Sequence, residues 1–176
     1  MNDLFNGAKN VVFEDFVMLT YDNNKRPICE NGKGKVAIPG FMRFSQGQVR
    51  VKKSVEISGA LKLDLSLKKN SMFVGTVCKN GKSANAFVGD DFCGVDVFQF
   101  TSPALWKKFS KEGLYDIKDI PGDWTDMKPI ILQENPYIEG EWEVSFRLSM
   151  GHEAVGGVKI GKGWLTVTIS ETKEEL

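Results

Sequence analysis

Hydrophobic and polar residues alternate with a two-residue period over several stretches of this chain. Leu61, Leu63, Leu65 and Leu67 alternate with Lys62, Asp64, Ser66 and Lys68. Trp142, Val144, Phe146 and Leu148 repeat the pattern against Glu141, Glu143, Ser145 and Arg147. Leu165, Val167 and Ile169 do so opposite Trp164, Thr166 and Thr168. Successive side chains of an extended chain point to opposite faces, so each run predicts a half-buried strand with one apolar and one wet face. Turn signals separate the runs: Asn31-Gly32, Gly47, Asn80-Gly81, Gly89-Asp90, Gly140, Gly151 and Gly161. Runs and breaks together predict strands near 11–20, 36–45, 47–58, 60–69, 71–78, 85–89, 92–98, 128–133, 141–150, 154–160 and 163–170. Many short strands between glycine-rich turns predict an all-β sandwich or barrel.

One segment departs from this pattern. Ser102 suits a helix N-cap, Pro103 the first helical position and Gly113 a left-handed stop. Between them Leu105, Trp106 and Phe109 share one face, while Lys107, Lys108 and Lys111 lie largely on the other. The spacing predicts one short amphipathic helix near 102–112, followed by an irregular loop from Asp116 to Lys128 that contains Trp124. No linker, low-complexity run or internal repeat divides the chain, so its 176 residues are read as one domain.

Charge removes one class of partner. Twenty-three basic residues balance 23 acidic ones, whereas a surface that neutralises nucleic-acid phosphates normally carries a basic excess. No nucleic-acid partner is expected. No stretch approaches the roughly 20 apolar residues that span a bilayer. The segment from Met1 to Gly7 has neither a basic head nor an apolar run, so no signal peptide is read there. A mature secreted chain and a cytosolic protein both fit, and a secreted setting is the expectation carried forward.

The cysteines are Cys29, Cys78 and Cys93. Their spacing matches no zinc pattern, and the chain has one histidine. A Cys78–Cys93 bridge would close a loop of about 15 residues and stabilise by up to roughly 3 kcal/mol. Cys29 would then be a buried apolar residue or pair between chains. Three buried free thiols in a reducing compartment are the other reading.

Catalytic signals are weak. His152 lies in the turn Met150-Gly151-His152-Glu153 and is expected to face solvent, away from any nucleophile. No nucleophile elbow, phosphate-cradling loop or dinucleotide fingerprint occurs. Asp90 and Asp91 are adjacent, so on a strand they would point to opposite faces, and in a turn they would satisfy local N–H groups. Asp116, Asp119, Asp123 and Asp126 lack the dense spacing of a calcium loop. No catalytic residue, metal or cofactor is assigned.

The aromatic residues have two readings. Phe92, Phe98 and Phe100 lead into the helix, Trp106 and Phe109 lie on it, and Trp124 follows it. They either plug the core or form a lid over an apolar cavity, with Lys107, Lys108 and Lys111 meeting anionic lipid head groups.

Several ordered pieces of the chain resemble a known family. These are Cys29-Glu30-Asn31-Gly32-Lys33, the run from Ala60 to Lys69, Asp91-Phe92-Cys93-Gly94-Val95, Leu105-Trp106-Lys107, and Gly140-Glu141-Trp142-Glu143-Val144. Their order and spacing resemble the MD-2-related lipid-recognition superfamily, and most closely its GM2-activator branch with the arthropod CheB-type chemosensory proteins. The resemblance implies an immunoglobulin-like two-sheet antiparallel sandwich opened into a β-cup around an apolar cavity. It also implies non-catalytic binding, carriage or transfer of a lipid or other hydrophobic small molecule, with transient contact at a membrane surface. Departures are evident: the GM2 activator is rich in disulfides, the position resembling the partner of Cys29 falls near Gly157, and no Asn-x-Ser/Thr site is present. They argue against glycolipid presentation and a lysosomal role.

On this reading Leu63, Leu65, Trp142, Phe146 and Leu148 build the cavity wall, and Phe98, Phe100, Trp106, Phe109 and Trp124 form its rim or lid. The alternative is an immunoglobulin-like module that contacts a protein or carbohydrate through exposed aromatics around a solid core. An enzyme with converging carboxylates is the third reading.

Overall fold

The computed structural model describes residues 1–30, 33–55, 61–86, 88–99, 101–119, 126–130 and 138–170. Its architecture is all-β with a short helix. In chain order the elements are β1 Asn2–Asp3, β2 Val11–Tyr21, β3 Cys29–Glu30, β4 Lys33–Ile38, β5 Phe41–Val51, β6 Leu61–Lys69, β7 Thr76–Lys79 and β8 Lys82–Ser83. They continue with α1 Asp90–Cys93, β9 Gly94–Asp96, α2 Pro103–Phe109, β10 Gly113–Asp116, β11 Lys128–Pro129, β12 Gly140–Met150 and β13 Glu153–Ile169.

Hydrogen bonding joins these strands in one sheet whose main path runs β10-β5-β2-β13-β12-β6-β7-β8. Most pairings are antiparallel, but β13 runs parallel to both β2 and β4, so one mixed hydrogen-bonded sheet stands where the resemblance implied two antiparallel sheets. The sheet curls. Val49 and Val51 of β5 share an apolar cluster with Leu61 of β6, although β2, β13 and β12 lie between those strands in the hydrogen-bonded order.

Two glycines read as chain reversals are bulges inside continuous strands. Gly47 has φ +151° within β5, and a Cβ there would stand 2.6 Å from the Phe16 ring. Opposite it, β2 slips register between Glu14 and Val17, where Asp15 takes φ +53°. An extra residue on one strand bends it without breaking the ladder. Gly161, at φ +70°, sits in a larger bulge, with three extra residues, within β13. Trp142 pairs with Leu165 but Val144 pairs with Ile160, so one 17-residue strand replaces the two expected at 154–160 and 163–170. The expected 36–45 strand is interrupted instead at the cis Ile38-Pro39 bond, between β4 and β5.

Other boundaries also moved. The expected 71–78 strand begins only at Thr76, after a turn. No strand occurs at the described residues of 85–89, and Asp90-Asp91 open α1, whose first turn favours acidic groups. The expected 92–98 strand shrinks to Gly94–Asp96. Only Lys128 and Pro129 pair from the 128–133 run, and 131–133 lie outside the described residues. The helix appears as α2: Pro103 occupies its first turn and the Ser102 hydroxyl accepts from the Leu105 N–H. Gly113 opens β10 instead of ending the helix.

Cys78 and Cys93 form a buried disulfide with Cα atoms 5.5 Å apart, tying β7 to α1. Cys29 is free and exposed rather than buried. Among the described residues no helix is long and apolar enough to cross a membrane.

Candidate functional site

The interior is lined by the apolar faces of β6 and β12, set side by side. Leu63 pairs with Leu148, Leu65 with Phe146 and Leu67 with Val144. Alternation puts all six on one face of the sheet. Along this double row the packing changes from one end to the other.

At one end α2 closes the sheet. Leu61 (2% exposed) and Leu148 (3%) pack with Val11, Val49, Val51, Trp106 (5%) and Phe109 (2%). The Trp106 Nε1–H donates to Thr101 Oγ1 at 2.6 Å, and that hydroxyl donates to the Val97 carbonyl at 2.7 Å. Edge-to-face contacts continue the packing, with Trp106 and Phe109 centroids 5.8 Å apart and Phe109 and Tyr115 5.5 Å apart. The void left between Leu61, Trp106, Phe109, Leu148 and their neighbours is about 10 Å³, room for about one water and for no hydrocarbon chain. Trp106 and Phe109, expected as rim or lid, are therefore a plug. Phe98 and Leu63 are part-buried against the same cluster.

Toward the other end burial is incomplete. Leu65, Leu67, Val144 and Phe146 remain only part-buried. They adjoin a second apolar cluster containing the disulfide, Val77, Trp142, Ile38, Leu165 and Val167. Trp142 is itself buried, and its Nε1–H donates to the Ile138 carbonyl at 2.6 Å. Of the residues expected at the site, Leu63, Leu65, Trp142, Phe146 and Leu148 thus lie together on the interior side. Phe100 and Trp124 lie outside the described residues.

On the opposite face of the same strands sits a polar cluster that sequence reasoning missed. Asp64 is buried and its Oδ2 accepts from Arg147 Nη2 at 2.8 Å and from the Ser149 hydroxyl at 2.6 Å. Arg147 Nη2 also donates to the Asn80 carbonyl at 3.2 Å. This staples the Asn80-Gly81 turn, and with it the disulfide-linked segment, onto β6 and β12. Sequence alternation marked both charges as outward; nothing local showed that the turn would fold over them.

The remaining candidate chemistry is dispersed. His152 is exposed in the β12–β13 turn. Asp90 accepts the Ser83 N–H at 2.7 Å and Asp116 accepts the Lys118 N–H at 2.9 Å, which are local backbone duties. Among the described residues no three His, Cys, Asp or Glu side chains gather where they would hold a metal. Hydrogen bonding to the Arg50 guanidinium holds the Glu14 carboxyl below its usual value, through contacts of 2.7 and 3.1 Å. The Arg26 backbone N–H does the same for Asp22. Both are surface pairs. Lys107, Lys108 and Lys111 are exposed at the end that α2 seals. Scanned against protein-family models and curated proteins, the chain finds no match.

Proposed function

We propose that this chain carries a lipid or another apolar small molecule against the inner face of its curled sheet, without catalysing a reaction. The observation that carries this reading is the part-buried quartet Leu65, Leu67, Val144 and Phe146. Interior side chains normally reach full burial, as Leu61 and Leu148 do on the same two strands. Four adjacent apolar groups left partly open on an inward face offer a surface that a hydrocarbon covers at about 0.8 kcal/mol per buried CH₂. The resemblance to lipid-recognition proteins supports the same reading. The buried disulfide fits an oxidising, secreted setting, since such bridges are rare in reducing compartments.

The test is native mass spectrometry of protein purified without delipidation, with displacement of a fluorescent fatty-acid probe as the second readout. The expected result is a mass excess that dissociates on activation, and probe binding that Phe146→Asp abolishes. A chain that flies at its bare mass and ignores the probe removes the proposal. The tight packing beneath α2 favours a second reading, a solid sandwich that binds a protein or carbohydrate through its surface. Trp106 cannot serve there, because it is buried; Phe73, 94% exposed, and Trp164, 39% exposed, are aromatic groups that could.

A further inference from the structure

The most exposed large apolar groups among the described residues are Met72 (99%) and Phe73 (94%), adjacent at the tip of the turn between β6 and β7. The turn is held by its own hydrogen bonds. Ser71 Oγ accepts from the Phe73 and Val74 N–H groups, and the Gly75 N–H donates to the Ser71 carbonyl at 3.0 Å. The Lys69 N–H donates to the Gly75 carbonyl at 2.8 Å, and Asn70 is fixed to Glu141 through both backbone and side chain. Val74 turns inward and packs on the second apolar cluster. The geometry therefore spends order on holding two greasy side chains in water, where they gain nothing for folding.

We propose that Met72 and Phe73 are a docking tip that enters the interfacial region of a phospholipid bilayer carrying anionic headgroups. Two observations favour a bilayer over a protein. A convex tip of two side chains offers far less than the roughly 800 Å² per partner of a stable protein interface, whereas shallow insertion needs only a small apolar wedge. Charge also fits: Lys68 and Lys69 flank the tip, their ammonium groups 5.8 Å from the Trp164 ring and 5.7 Å from the Trp142 ring. Part-exposed Trp164 suits headgroup depth, where amphipathic rings settle. Two acids lie close by: Glu141 is engaged by Asn70, and Glu143, cross-strand from Lys68, is paired with Lys159. The tip lies beyond the part-buried end of β6, away from the α2 lysines. The inference goes beyond internal carriage, since a tip docks whether or not the interior is loaded.

The full chain is sedimented with vesicles of phosphatidylcholine alone and of phosphatidylcholine with phosphatidylserine. The expected result is binding to the mixed vesicles that weakens with added salt, and at least tenfold weaker binding for M72S/F73S. Leu114→Ser, on exposed β10, is expected to bind as the wild type. Phe73→Trp is expected to shift its emission to the blue on mixed vesicles. The proposal is overturned if the wild type sediments with neither vesicle, or if M72S/F73S binds equally well. It is also overturned if sedimentation velocity shows a dimer that M72S/F73S abolishes, because the tip then belongs to a second copy. Internal carriage is read separately by the mass excess, which M72S/F73S leaves intact, so one idea can fail without the other.

Discussion

The two ends of the β6–β12 pair are built from the same alternating code and reach different outcomes. Near α2, Leu61 and Leu148 meet Trp106 and Phe109 and vanish from solvent. Further along, four residues from Leu61 and two from Leu148, Leu65 and Phe146 pair with one another yet stay part-buried. Strand periodicity therefore sets which face is apolar, but not how completely that face is covered. Coverage depends on what packs across it, and that is a long-range property.

The contrast can be broken most sharply at the sealed end. Leu148→Ala and Trp106→Ala are expected to cost about 3–5 kcal/mol each, as buried truncations that leave a cavity, measured by urea unfolding. At the other end, removing the bridge with Cys78→Ala/Cys93→Ala is expected to cost about 3 kcal/mol, from the loop of about 15 residues it closes. The loss is to be read as a midpoint shift against Cys29→Ala, and thiol counting in denaturant without reductant should find one reactive group. Asp64→Ala, which removes one partner of a buried cluster behind both ends, is expected to cost about 2–3 kcal/mol. Part-buried Phe146→Ala should cost only about 1–2 kcal/mol. A loss matching that of Leu148→Ala would mean the two ends are equally well packed.

The smallest effect concerns Glu14 and Arg50, which pair on the outer side near the sealed end. Because the Glu14 carboxyl titrates lower in the folded chain than in the unfolded one, its contribution is present above the unfolded value and lost as pH falls through the folded one. Glu14→Gln is expected to cost about 0.5 kcal/mol at neutral pH and nothing in acid. Urea midpoints of the two proteins should converge below the ordinary carboxylate range.

Much of this was legible beforehand. The apolar faces of β6 and β12 follow from alternation, and α2 follows from Ser102, Pro103 and its apolar stripe, because these signals are local. Gly47 and Gly161 misled because a glycine at positive φ serves a bulge as readily as a reversal, and only the partner strand decides between them. Met72-Phe73-Val74 read as strand because an apolar run looks buried; Ser71 and Gly75 were the cue that it turns. The sequence left plug and lid open for Trp106, and the Asp64 cluster was invisible, since each depends on segments distant in sequence.

Strand β13 comes after all its partners in the chain, and it pairs with β1, β2, β4 and β12. During synthesis, β1, β2 and β4 must wait for Glu153–Ile169 to emerge before they gain a neighbour on that side. Until then β2, paired with β5 and through it with β10 and β11, keeps its other edge open. A nascent chain of this design exposes unpaired strand edges for most of its translation, so a holding chaperone or slow, late closure is built into its order of assembly.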